Sequence, residues 1–254
     1  MLTLTHLETY AACGGDADGW TRRGGSPDMR YEHWLWRREM KTRPGILCAL
    51  VLLLGACSSA YYGTMEKLGV HKRDIMVDRV VAARDAQTEA KEQFLTAMEQ
   101  FRGVVAFQGG DLEGEYHKLD ATLQESEARA AAVRERIGAV EDVSEALFSE
   151  WEAELGQYSS DTLRQASQRK YDATKRKYTQ LLAAMKRAEA RLEPVLVPLR
   201  DQVLFMKHNL NARAIAGLSE EVVSVQANVD RLVREMESAI TQADAFIAEL
   251  RAEE

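Results

Sequence analysis

Few residues of this chain can do chemistry, and most of them stand alone. Three cysteines and five histidines are spread over 254 residues. Downstream of residue 56 the histidines are His71, His117 and His208, with no HxxxH spacing and no cysteine beside them. A zinc-type site needs several such ligands converging, so the expectation is no metal and no cofactor. No GxxxxGKS/T run is present to cradle phosphates, and Gly109-Gly110 lacks the flanking strand and the lysine. No Ser–His–Asp arrangement follows from the spacing. Acidic groups such as Glu113/Glu115 and Glu150/Glu152/Glu154 read as a solvated helix face. The expectation is a noncatalytic protein. Cys57 is the exception. Its thiol follows Leu54-Gly55-Ala56, at the end of an uncharged run from Ile46 that is preceded by Lys41 and Arg43.

A basic start, a short apolar run and small residues are the parts of an export signal. The run Ile46–Leu54 is far below the roughly 20 residues that a spanning helix needs. Leu54-Gly55-Ala56-Cys57 resembles the lipobox of bacterial lipoproteins. That resemblance implies a diacylglycerol on the Cys57 sulfur, cleavage before Cys57 and acylation of the new amino terminus. Several acyl chains on one residue give stable anchoring where one chain does not. Ser58, where inner-membrane lipoproteins carry Asp, implies the periplasmic face of the outer membrane. Membrane lipid, reached through acylated Cys57, is the expected partner. Residues 40–56 are then the signal peptide. Residues 1–39 hold three of the four Trp and no sustained periodicity. They read as a disordered upstream extension from a start called too early, with Met40 as the true start. The competing reading, a cytoplasmic extension with an uncleaved anchor, has too short an apolar run.

Residues 1–56 carry seven Lys/Arg and six Asp/Glu of a chain with net charge −7, so the rest stays acidic. An acidic surface argues against nonspecific nucleic-acid binding. Only Cys57 remains of the three cysteines, so no internal disulfide can form and packing alone must hold the fold.

Residues 57–71 read as a tether, with Gly63 and Gly69 as breaks and Tyr61-Tyr62 suited to a membrane interface. From residue 72 to 254 apolar residues return every seven positions. A helix over about 72–107 carries Val80, Gln87, Phe94, Phe101 and the row Met76, Ala83, Ala90, Ala97, Val104. Gly109-Gly110-Asp111 makes a turn. A second helix over about 112–158 carries Leu123, Ala130, Ile137, Ser144, Trp151 and the row Leu119, Ser126, Val133, Val140, Leu147. Ser159-Ser160-Asp161 supplies the next caps. A third helix over about 162–213 carries Tyr171, Tyr178, Met185, Leu192, Leu199, Met206; its second row slips by one position at Pro194 and Pro198, where a kink or break is expected. Ser219 is expected to cap a fourth helix over about 220–251, with Val229, Met236, Ala243, Leu250 and Val225, Leu232, Ala239, Phe246. These stripes are coiled-coil seams. Short links force antiparallel neighbours. The fold expected is all-α: an elongated, antiparallel up-and-down bundle of about four long helices, with the second and third protruding as a hairpin.

One stretch is mixed in character. Residues 200–213 combine basic side chains, two Asn and apolar residues such as Phe205. One reading is bundle core with polar residues that fix register. The other is a partner-binding surface in which Arg200, Lys207, His208 and Arg213 recognise charge and Phe205 is the anchor.

The segments CSSAYYGTMEKLGVHKRDIMVDRV, FQGGDL and LEPVLVPLRDQVLFMKHNLNARAIAGL are similar to the uncharacterised proteobacterial lipoproteins grouped as DUF2959. The resemblance spans nearly all of 57–254 and implies an exported helical protein without implying an activity. Three functions stay open from the residues. The first is a lipid-anchored scaffold or interaction protein of the envelope, contacting envelope proteins or cell wall. The second is a membrane-surface module that binds or shapes lipid, with Lys170, Lys175, Arg176, Lys177 and Arg187 as a local basic stripe. The third is a cytoplasmic coiled coil of DNA-repair-ATPase-like appearance, lacking the ATPase motifs. Heptad faces pair between chains as readily as within one, so a homo-oligomer also stays open.

Overall fold

The computed structural model describes residues 71–107, 109–211, 215 and 217–252. The export segment, Cys57, the tether before His71 and Arg213 lie outside them. The described residues form five helical segments and no strand: α1 Lys72–Val105, α2 Leu112–Leu155, α3 Asp161–Ala190, α4 Leu192–His208 and α5 Ser219–Ala252.

The seven-residue rows become the core. In α1, Met76, Val80, Ala83, Gln87, Ala90, Phe94, Ala97, Phe101 and Val104 are all buried. The matching rows of α2 and α5 are buried through their middles: Ala130, Val133, Ile137 and Val140 belong to the same continuous cluster as Val229, Leu232, Met236 and Ala239. Large side chains such as Phe94 and Phe101 leave water completely, each worth about 1.5–3 kcal/mol against exposure. No single helix could bury its stripe alone, so the stripes hold four rods together.

Ion pairs at the flanks fix the directions. Arg129 of α2 binds Glu89 of α1, while Lys72 near the start of α1 donates to Glu150 near the end of α2 at 2.8 Å, so these helices are antiparallel. Arg84 donates to Asp244 at 2.9 Å and Arg73 Nη2 to the Leu250 carbonyl, which sets α5 antiparallel to α1. Lys186 meets Glu141 at 2.7 Å, and Arg187 meets Glu235 at 3.3 Å. Helix α1 packs on α2 and α5, and α3 with α4 packs on the same two from the other side. The cross-section is a square with an up-down-up-down path.

The turns follow their residues. Gly109 and Gly110 take φ values of +152° and +128°, conformations that side chains with a Cβ rarely adopt. The Asp111 carboxylate then accepts from the Gly114 N–H at 2.9 Å and caps α2. Ser160 caps α3 by accepting from Leu163 N–H. Ser219 differs from its expected role: it is the first helical residue of α5, and the Leu218 carbonyl already accepts from Glu221 and Val222.

The third long helix is two helices, and the break sits at Arg191, upstream of both prolines. The cause is local. Pro194 has no N–H and its ring crowds the carbonyl of Ala190, so the regular path ends there. Restarting at Leu192 puts Pro194 in the first turn, where its missing donor costs nothing. Pro198 lies inside α4 and leaves the Pro194 carbonyl without its helical donor; Asn228 of α5 donates to that carbonyl at 3.2 Å. Beyond the break α4 ends at His208, short of the expected 213. Asn209 folds back and donates from Nδ2 to the Phe205 carbonyl at 2.9 Å.

Of the polar side chains buried with the core, Gln87 is the largest that leaves water completely. Neither its Oε1 nor its Nε2 has a hydrogen-bond partner among the described residues. Leaving such an amide unpaired costs about 1–3 kcal/mol.

Candidate interaction surfaces

The bundle has two unlike ends. At one end lie the loops after α1 and α4. At the other lie the start of α1, the end of α5 and the α2–α3 turn. Each end exposes apolar side chains that the seams do not use.

At the loop end, α4 shows two faces. Leu196, Leu199, Gln202, Val203 and Met206 point into the bundle. Val197 and Leu204, seven residues apart and so on one face, are exposed, and Phe205 beside them is 40% exposed. Leu204 at 59% is the most exposed large apolar residue of the helix. Asp201, Lys207 and His208 are exposed with them. A helix inside a bundle does not need this second apolar edge, which makes it the best candidate surface for a protein contact.

The sequence-selected residues separate here. Phe205, Lys207 and His208 share the exposed end of α4. Arg200 does not join them. Its guanidinium is bound by Glu127 of α2 and by Glu193 of its own helix, the latter at 2.7 Å. The hydrogen bonds that Arg200 donates to Glu127 and Glu193 raise its pKa, and the Arg200 hydrogen bond holds the Glu193 carboxyl below the usual carboxylate range. Arg134 of α2 meets the same Glu193 at 3.0 Å. Arg200 therefore ties α4 to α2. Leu204 and Val197 escaped the sequence reading. Their signal was available: both are apolar residues off the two seven-residue rows.

At the other end the α2–α3 hairpin runs past the described ends of its neighbours. Lys72–Glu150 and Lys177–Glu249 mark the level where all four rods are present. At this level and just beyond it a separate small core forms. Phe148, Leu155 and Tyr171 are buried there, with Trp151 and Tyr178 packed against them. Tyr171 stands edge-on to both Phe148 and Trp151 at 5.7 Å between ring centres. Trp151 Nε1 donates to Ser167 Oγ at 2.9 Å, and Ser144 Oγ bonds the Tyr178 hydroxyl lower down. Lys175 Nζ donates to the Tyr171 hydroxyl at 2.6 Å and lies 4.9 Å over its ring. That hydrogen bond raises the lysine pKa, so the group stays cationic. A cleft of about 290 Å³ opens beside this core, lined by Leu147, Trp151, Tyr158 and Leu250 with Arg73 and Lys170 at its edge.

Among the described residues no three His, Cys, Asp or Glu side chains are grouped to hold a metal ion. His117 approaches only Glu113, at 3.9 Å on an exposed face. No described helix is long and apolar enough to cross a membrane. The family model described as "Protein of unknown function (DUF2959)" matches residues 61–250. No curated protein matches the chain.

Proposed function

With the chain a member of the DUF2959 family, whose description carries no activity, we propose that it is a noncatalytic helical lipoprotein. It is held at the periplasmic face of the outer membrane by acylated Cys57 and works by contact, as a scaffold or spacer for an envelope protein. The observation that carries this reading is the exposed edge Val197, Leu204 and Phe205, flanked by Lys207 and His208, at the loop end of the bundle. Aromatic side chains such as Phe are enriched in protein contacts over the rest of the surface. The edge also lies far from the anchored end: Phe205 is 28 residues beyond Lys177 along α3 and α4, about 40 Å at ~1.5 Å per residue. A rod of that length presents its far end well clear of the lipid.

Two measurements test the proposal separately. Intact mass of the protein from fractionated membranes should correspond to acylated Cys57 onward and should follow the outer membrane. A mass retaining residues 1–56 without lipid would overturn the anchor. A photo-crosslinking residue placed at Phe205 should give one discrete adduct in envelopes, and the same residue at Thr179 should give none. Identical crosslinking at both positions would remove the α4 edge as the contact.

A further inference from the structure

We infer that the tip of the α2–α3 hairpin, residues 156–170, rests on an anionic phospholipid surface and holds the bundle end-on to it. The inference builds on the anchor proposed above and assigns a second contact with the same membrane.

Geometry comes first. The Cys57 sulfur is 14 residues before His71, and His71 begins α1 at the hairpin end. Fourteen residues span at most about 50 Å. From Lys170, which still lines a cleft with Arg73 and Leu250, to Asp161 the third helix continues for nine residues, about 14 Å. An anchor tethered at this end brings the tip to the lipid with the tether compact, whereas the loop end would need the tether stretched nearly to its full length along the rod.

The tip has the composition such a surface selects. Residues 161–177 hold six Lys/Arg and two Asp/Glu in a chain of net charge −7. Within them Arg169 and Arg176, seven apart, are exposed on one face of α3, and neither makes an ion pair among the described residues. The acidic counterweight, Glu150, Glu152 and Glu154, sits on α2 before the turn, with Glu150 taken up by Lys72. From Gly156 to Lys170 the only carboxylate side chain is Asp161, and Arg164 binds it. Two apolar side chains flank the turn, Tyr158 at 40% and Leu163 at 58% exposed. A tyrosine and a leucine beside arginines match the layered polarity of a bilayer interface, aromatic ring and alkyl group at headgroup depth and cations at the phosphates. The aromatic core of Phe148, Trp151 and Tyr171 holds the tip in one shape, so docking orders little that is not ordered already.

The test uses the mature protein isolated from membranes, with Leu163→Cys carrying a polarity-sensitive dye and, in a second preparation, Glu113→Cys at the loop end. Each is reconstituted with vesicles of phosphatidylcholine alone or with added phosphatidylglycerol. The expected result is a blue shift at 163 with phosphatidylglycerol, none at 113, and reversal in about 1 M salt, where the screening length is about 3 Å. Changing Arg164, Arg169 and Arg176 to Glu should shift the docked fraction by about fivefold for each residue. Vesicle-bound protein whose 163 dye stays in water with both lipids overturns the tip contact while leaving the anchor standing. A shift at 113 instead of 163 overturns the orientation. Protein that floats with neither vesicle overturns both readings. Flotation with phosphatidylglycerol alone supports the tip and sinks the acyl anchor.

Discussion

The same α2–α3 hairpin is built in two ways along its length. In its lower part each helix has neighbours on two sides, and alanines and β-branched residues suffice: Ala130, Val133, Ile137 and Val140 are all fully buried. In its upper part α1 and α5 run out, with Arg73 and Leu250 near their described ends still lining a cleft beside Trp151. There the stripe closes with rings, Phe148, Trp151, Tyr171 and Tyr178, because a two-helix contact offers less depth and must cover more area per residue. Beyond the rings even this fails, and residues 156–170 are exposed almost without exception. The number of neighbours, more than the sequence period, decides how much of a heptad row is dry.

The sharpest way to separate the two parts is to damage each in turn. Phe94→Ala empties the centre of the body and should lower unfolding free energy by about 3–5 kcal/mol, read by denaturant titration, with hairpin and body lost together. Tyr171→Ala should act locally. Amide exchange over residues 151–170 should speed up as about 1.5–3 kcal/mol of ring packing is lost, while amides in the lower part of α2 keep their protection. Equal loss of protection in both parts would show one cooperative unit. Gln87→Leu should stabilise the body by about 1–3 kcal/mol by removing an unpaired buried amide, with no change at the tip.

The smallest effect is acid sensitivity of the α2–α4 tie. Glu193 has its pKa lowered, first by the Arg200 hydrogen bond. Its contribution is full above the ordinary glutamate range and is lost as pH falls through the lowered value. The carboxylate is 51% exposed, so solvent screening keeps the contribution under about 1 kcal/mol. Arg200→Gln should flatten this part of the pH–stability curve; an unchanged curve would show that the tie carries no stability.

The seams were legible in the sequence because burial and period coincide wherever four rods pack. Met185, Leu192 and Met206 could be named without coordinates. The break was legible in kind but not in place, because proline acts on the carbonyl four residues upstream, which moves the interruption to Arg191. Ser219 misled because its side chain suits a cap, while the chain uses the Leu218 carbonyl to begin the turn. At the candidate surface, Phe205 stood out by lying off both rows. Arg200 looked equally available, and its engagement was hidden because Glu127 is 73 residues away. Long-range charge pairing leaves no mark at heptad spacing.

The hydrogen bond from Arg73 to the Leu250 carbonyl places the first turn of α1 against the last turn of α5. Chain order is therefore a free variable of the bundle. A short linker joining these two helices, with new termini opened between Gly109 and Gly110, would leave every described seam with the same neighbours. The permuted chain would begin with α2 and end with α1, and the polypeptide would then enter and leave at the loop end, opposite to where it begins now.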